Sequence, residues 1–246
     1  MTTILLLAIL AFQPAVQDDG YVYKITLLRA APGHLLDVID AYRAQILVYD
    51  AAGDPRPMMV RHSQGDHWDL MVIEPAESLQ SYYSAERAGR RVRVGEPTAL
   101  TPNQFADELQ RIVAWKEETF FSGVALEEFR RRFDGANYFH VEMFIALPGK
   151  GQELYRERVM ENEYLRRIGR PQNLIFAKVL GGSWDSFTLG FYRDLKHFAE
   201  GADTPAELQQ EAAVAAGFEG ADKIGTYLRE LIARHNDTLA GKVDLW

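Results

Sequence analysis

The pentapeptide Gly65-Asp66-His67-Trp68-Asp69 has a counterpart in Gly181-Gly182-Ser183-Trp184-Asp185, and the two tryptophans lie 116 positions apart. The same offset carries Pro32-Gly33 onto Pro148-Gly149, Pro55 onto Pro171 and Leu79 onto Leu195. Landmarks that stay in one register over this distance imply a duplicated unit of about 116 residues. Two copies of one unit fold by the same rules and present related surfaces to each other. The 246 residues are therefore expected to divide into two similar repeats, 18–135 and 136–246. At 47% apolar, the chain can bury a sizeable core.

The net charge is −8, from 35 acidic and 27 basic residues. This balance argues against nucleic acid as a partner, because its binders usually display a basic face. Residues 4–12 form an apolar run too short to span a bilayer. Pro14-Ala15-Val16-Gln17 and then Asp18-Asp19-Gly20 follow it. The pattern reads as a signal peptide over residues 1–17, which predicts a secreted or periplasmic protein with no membrane segment in its mature form. Met1-Thr2-Thr3 departs from that pattern by carrying no basic residue, and the competing reading is an uncleaved apolar first element. There is no cysteine, which excludes disulfides, thiolate metal sites and a Cys nucleophile.

Residues 21–29 alternate as a strand, with Tyr23, Ile25 and Leu27 on one side and Lys24 and Thr26 on the other. Leu35, Ile39, Tyr42, Ile46 and Tyr49 then mark one face of a helix. Strands follow at 58–63 and 67–74 around the turn Gln64-Gly65-Asp66, and a short helix at 77–83. The order is β-α-β-β-α, and residues 138–200 repeat it. Thr101-Pro102-Asn103-Gln104 carries a capping-box signature that predicts a helix to about Phe121. Thr204-Pro205-Ala206-Glu207 echoes it, and a last helix is expected over 223–239. Residues 124–133 read as a further amphipathic helix before the boundary at Asp134-Gly135-Ala136-Asn137. Neither half shows a clear fourth strand; residues 92–94 and 242–245 are poor candidates.

A β-α-β-β-α unit of this size, present twice, resembles the dimeric α+β barrel superfamily, with its NIPSNAP-like and antibiotic-biosynthesis-monooxygenase-like members. The resemblance covers about residues 21–240 and rests on element order and duplication. It implies an α+β fold in which two ferredoxin-like repeats close an intrachain barrel with extra helices. Its members are often homodimers of single units, and a tandem copy would let one chain make its own pseudo-dimer, with a homo-oligomer as a further possibility. The alternative is two ferredoxin-like units packed side by side without closure.

The offset assigns strand faces. Tyr23, Ile25 and Leu27 map to Phe139, Val141 and Met143, and this apolar face is expected under the helices. The opposite face, Lys24, Thr26 and Leu28 with His140, Glu142 and Phe144, is then expected to line the lumen. The second half offers His140, Glu142, Lys178, Trp184, Ser186 and Thr188; the first offers Lys24, Thr26, His62 and Trp68. The second set is richer, so the ligand cavity is expected there, with His140 as base and Glu142 orienting it. The plainer reading makes both residues solvated surface groups. The tryptophans and the aspartates after them also read as structural, since both halves keep them.

His62 with His67, or His140 with Glu142, could begin a metal site, but no third ligand has a defining spacing, so no metal and no cofactor is expected. His235 falls on the stripe of the last expected helix and reads as a core residue. Arg87, Arg90, Arg91 and Arg93 form a basic cluster that could meet an anionic ligand or a partner's acidic surface; the plainer reading is a solvated loop. There is no phosphate-binding glycine loop and no nucleophile elbow. The chain is thus expected to bind a small, partly apolar molecule. Cofactor-independent oxidation or isomerisation is the activity that the resemblance implies. A non-catalytic scaffold and a haem-binding barrel are the alternatives.

Overall fold

The computed structural model describes residues 20–98 and 100–245. The expected signal peptide lies outside them. The first half runs β1 (Tyr21–Ala30), α1 (Leu35–Ala52), β2 (Met58–Gln64), β3 (Leu70–Glu77), α2 (Leu79–Tyr82), α3 (Ala85–Thr98), α4 (Pro102–Ile112), β4 (Val113–Gly123) and α5 (Leu126–Asp134). The second runs β5 (Tyr138–Ala146), α6 (Gly151–Arg167), β6 (Leu174–Gly181), β7 (Ser186–Tyr192), α7 (Leu195–Ala199), α8 (Ala206–Ala216), α9 (Ile224–Arg229) and β8 (Ile232–Val243). No described helix is long and apolar enough to cross a membrane.

The fourth strands are where the structure departs most from the sequence reading. The helix expected to reach Phe121 stops at Ile112, and the helix expected to reach Leu239 stops at Arg229; β4 and β8 take over. Ala114, Lys116, Glu117 and Glu118 are tolerable helix formers, which hid the strand. Pairing decides otherwise. β4 runs antiparallel to β1 from Tyr21↔Gly123 to Ala30↔Val113, and such tertiary pairing overrides weak local preference. The capping box at Thr101 forms, with Thr101 and Gln104 bonding each other's backbone N–H. Its echo at Thr204 does not form; the Thr204 amide instead closes the preceding turn onto Gly201 O at 3.3 Å.

The strands close a barrel in the order β1-β3-β2-β8-β5-β7-β6-β4. Each fourth strand is shared. β4 pairs with β1 of its own half and with β6 of the other; β8 pairs with β5 and with β2. The halves therefore complete each other. Each Trp-Asp hairpin serves this frame in the same way. Asp69 Oδ2 accepts from Ala30 N at 2.8 Å, and Asp185 Oδ2 from Ala146 N at 3.0 Å. The Asp69 and Asp185 carbonyls accept from His62 N and Lys178 N, each at 2.9 Å. Each aspartate thus ties the second strand of its half to the end of the first.

The face assignment is inverted. Tyr23, Ile25, Leu27, Phe139, Val141 and Met143 join Met71, Ile73, Phe176 and Phe187 in one buried cluster that draws on all eight strands, so they fill the barrel interior. Phe129 and Phe133 of α5 join them. The face expected in the lumen lies under the helices: Leu28 and Val72 pack with Val38, Ile39 and Tyr42 of α1, and Phe144 with Leu154 of α6 and Leu228 of α9. The reason is steric. An eight-stranded barrel is just wide enough for side chains to fill, and here the most apolar face fills it. Amphipathic helices cover the other face and leave openings at their edges, where polar groups survive.

Candidate functional site

One such opening lies over the first half. Lys24, Thr26 and Leu28 rise from β1, Val72 and Glu74 from β3, and Glu118 from β4. Above them α1 contributes Tyr42, Gln45 and Tyr49. Tyr82 of α2, Arg91 of α3, and Phe105 and Leu109 of α4 complete the walls of a cavity of about 570 Å³. This volume and its mixed lining are those of a small-molecule site.

Asp54 holds that wall in place. It follows α1, is almost fully buried, and lies 3.4, 3.0 and 2.5 Å from Arg87, Arg90 and Arg91. Arg91 also bonds Glu74 at 3.0 Å and sets its guanidinium 4.4 Å from the centre of the Tyr49 ring. Arg87, Arg90 and Arg91, expected in a solvated loop, are therefore a helical clamp, because a buried carboxylate recruits them. Burial opposes the ionised form of Asp54, but Arg91, Arg90 and Arg87 outweigh it and hold the carboxyl below its usual range.

Lys24 Nζ reaches Glu118 at 2.6 Å. Burial disfavours its charge, but Tyr82, Glu74 and Glu118 around it more than compensate, so the ammonium is retained. Desolvation raises the pKa of Tyr42, Tyr49 and Tyr82, so these phenols are neutral donors at ordinary pH.

The second half repeats the geometry with other chemistry. At the same offset His140 replaces Lys24, Glu142 replaces Thr26, Arg158 replaces Tyr42 and Glu161 replaces Gln45. The Lys24–Glu118 pair is matched by His140 with Asp237, which hydrogen-bond. Arg158 is buried and bonds Glu157 at 2.5 Å and Glu161 at 2.6 Å, with Glu142 at 3.5 Å. Burial opposes the charge of Glu142, yet His235, Arg158, His140 and Thr188 together lower its pKa. Burial and the nearby Glu142 push Glu161 the other way, to about 8. Burial also works against a charged His140, but Asp237 and Glu142 raise its pKa.

The residues singled out in the sequence scatter accordingly. His140, Glu142 and Thr188 do meet, on the helix-covered face, where Thr188 Oγ1 donates to Glu142 Oε2 at 2.9 Å. Ser186 shares that face opposite Phe144. Lys178 pairs instead with Asp185 at 2.6 Å. Trp68 and Trp184 are buried in the barrel core, and His62 lies edge-on to Trp68 at 5.9 Å. Of the expected ligand-binding residues, Lys24 lines the 570 Å³ cavity, which sits in the first half. His235 lies on β8, not on a helix.

Sequence reasoning missed Tyr42, Gln45, Tyr49, Glu74 and Asp237 as site residues. The signal for the first three was present: polar tips recur on the inward face of an otherwise apolar helix. No histidine lines the cavity. This cavity therefore offers no axial histidine to a haem.

No protein-family model matches the chain, and no curated protein matches it in sequence. Solved structures do match in fold. An anthrone oxidase-like protein superposes with a TM-score of 0.55 over 93% of both chains at 10% identity. A candidate monooxygenase from Fusobacterium nucleatum gives 0.52 over 92% of this chain and 94% of its own, at 8% identity. The fold is that of the dimeric α+β barrels, here built within one chain.

Proposed function

We propose that the protein binds a small, planar, oxygen-bearing organic molecule in the first-half cavity. The observation that carries this reading is the lining: Tyr42, Tyr49, Tyr82 and Phe105 supply aromatic walls, and Lys24, Arg91 and Gln45 supply donors. Flat apolar surface with a few fixed donors suits a phenol, a quinone or an aromatic acid. The finer reading is cofactor-independent oxidation of that ligand by dioxygen, or its isomerisation; the names of the two fold neighbours speak of oxidation alone. Such chemistry needs a base at the cavity wall, and Glu74 and Glu118 are the carboxylates placed there. Export through residues 1–17 remains part of the proposal, tested by the N-terminus of the protein recovered from its native compartment.

A panel of phenols, quinones and aromatic acids, read by native mass spectrometry and thermal shift, tests the binding. A ligand at about 100 times its Kd should add roughly 2.7 kcal/mol of stability. Leu109→Trp, which fills the cavity, should abolish the shift, and Lys24→Ala should weaken it. Binding that survives Leu109→Trp in a folded variant would place the ligand elsewhere.

A further inference from the structure

We infer that the outer sheet face of the second half is a divalent transition-metal site with His140, Glu142, His235 and Asp237 as ligands. The ligands come from neighbouring antiparallel strands. His140 and Glu142 are two residues apart on β5, and His235 and Asp237 are two apart on β8, so each pair shares a face. The register sets Asp237 opposite Glu142 and His235 opposite Phe144. One ligand atom from each of His140, Glu142 and Asp237 lies within 4.8 Å of the others. His235 Nε2 stands 3.5 Å from Glu142 Oε1 and 3.9 Å from Asp237 Oδ2. Two atoms each about 2.1 Å from a tetrahedral ion are roughly 3.4 Å apart, so the His235 separations leave room for an ion, whereas His140 and Asp237 hydrogen-bond each other directly and have to part to admit one. His235 Nε2 is buried, and its contact with Glu142 Oε1 at 3.5 Å falls short of good hydrogen-bond geometry; its ring is held flat against Phe144 at 4.8 Å.

The surroundings support the same assignment. Thr188 donates to Glu142 Oε2, and Arg158 lies 3.5 Å from that oxygen, which leaves Oε1 for an ion. A surface hollow of about 430 Å³, lined by Gly65, Asp66, His67 and Asn236, also touches His235 and Asp237 and gives a path of entry. Two imidazoles with two carboxylates suit Zn²⁺ and its first-row neighbours better than Mg²⁺ or Ca²⁺. In the first half an ammonium, Lys24, stands where His140 does, so the site is expected once per chain.

The test uses the untagged full chain, stripped of metal and titrated with Zn²⁺, Co²⁺ and Mg²⁺. We expect one Zn²⁺ per chain, no binding of Mg²⁺ at the same concentration, visible Co²⁺ absorption bands, and shifted imidazole nitrogen resonances of His140 and His235. Removing an outer partner of a metal ligand typically costs about 10–100-fold in affinity. Thr188→Val should fall in that range, and His235→Ala and Asp237→Asn should lose at least as much. His34→Ala, which removes a remote surface His–Asp pair, should change nothing. Substoichiometric binding by the unmodified chain, undiminished affinity in folded His235→Ala, or resonances of His34 or His67 shifting in place of these two would each overturn the assignment. Should the variants not fold, the imidazole resonances of the unmodified chain decide it alone.

Discussion

Asp54→Asn keeps the shape of the side chain and removes the charge on which Arg87, Arg90 and Arg91 converge. Breaking a buried pair by neutralising one partner costs about 3–5 kcal/mol. The lower end applies here. Arg91 keeps Glu74 at 3.0 Å, Arg87 keeps the carbonyls of Pro75 and Ala76, and Arg90 keeps Glu86 at 3.0 Å. A loss of about 3 kcal/mol corresponds to roughly 6–12 °C in Tm for a chain of this size, at about 2–4 °C per kcal/mol. The pH dependence supplies an internal control. The folded Asp54 carboxyl lies below its ordinary value, so its contribution is fully present above the unfolded pKa of about 3.9. It is lost as pH falls through the folded value. Urea denaturation should therefore show a constant difference between the two proteins at pH 7 and pH 5, shrinking below about pH 4. A difference under about 1 kcal/mol, or one that persists unchanged at the lowest pH where both proteins fold, would refute the clamp. Because the clamp positions Arg91 against Tyr49, ligand affinity should fall together with stability.

Three further outcomes follow from the barrel. Gly181 and Gly65 sit at the seams between the halves with φ of 92° and 121°, and an added Cβ would lie 2.7 Å from Glu118 O and 2.1 Å from Asp237 O. Gly181→Ala and Gly65→Ala should each cost about 2–4 kcal/mol by denaturant unfolding, whereas Gly33→Ala, at φ 86° with nothing within 4 Å, should cost about 1 kcal/mol. Asp69→Ala and Asp185→Ala should each cost about 1–3 kcal/mol and speed hydrogen exchange at the Ala30 or Ala146 amide; unchanged exchange would remove their bridging role. Trp68→Ala should cost about 3–5 kcal/mol, and a smaller loss measured by calorimetry would mean that the core collapses around the gap.

The duplicated register made the architecture legible, because a repeated Trp-Asp hairpin does the same hydrogen-bonding work in both halves. First strands and main helices were legible too, since their periodicity is strong: the strand Tyr138–Ala146 begins where the repeated order was expected to begin. The fourth strands were not, because Lys116, Glu117 and Glu118 carry helix-compatible chemistry and only the partner strands show otherwise. Alternation revealed that β1 has two unlike faces but not which one turns inward. That choice depends on closure, a property of the two halves together. The cavity followed the same limit: Tyr42 and Tyr49 looked like core, and Arg91 looked like surface, until the helices were in place.

Duplication also frees one copy to diverge, and the exchange of Tyr42 for Arg158 shows how far. Tyr42 is a neutral phenol that can face either a ligand or a packed wall. Arg158 can be buried only with counterions, and Glu157 and Glu161 provide them on the same helix. The second set is therefore interdependent. Arg158→Tyr alone, a change toward the first-half state, strands those glutamates and should cost about 3–5 kcal/mol. Adding Glu157→Ala and Glu161→Gln, the residues found at the matching first-half positions, should recover most of that loss. Chemical denaturation of the single and triple variants measures the difference. If the single change were as stable as the triple, the carboxylates would not depend on Arg158. The second half would then be an ordinary packed interface rather than a charged site held ready for a cation.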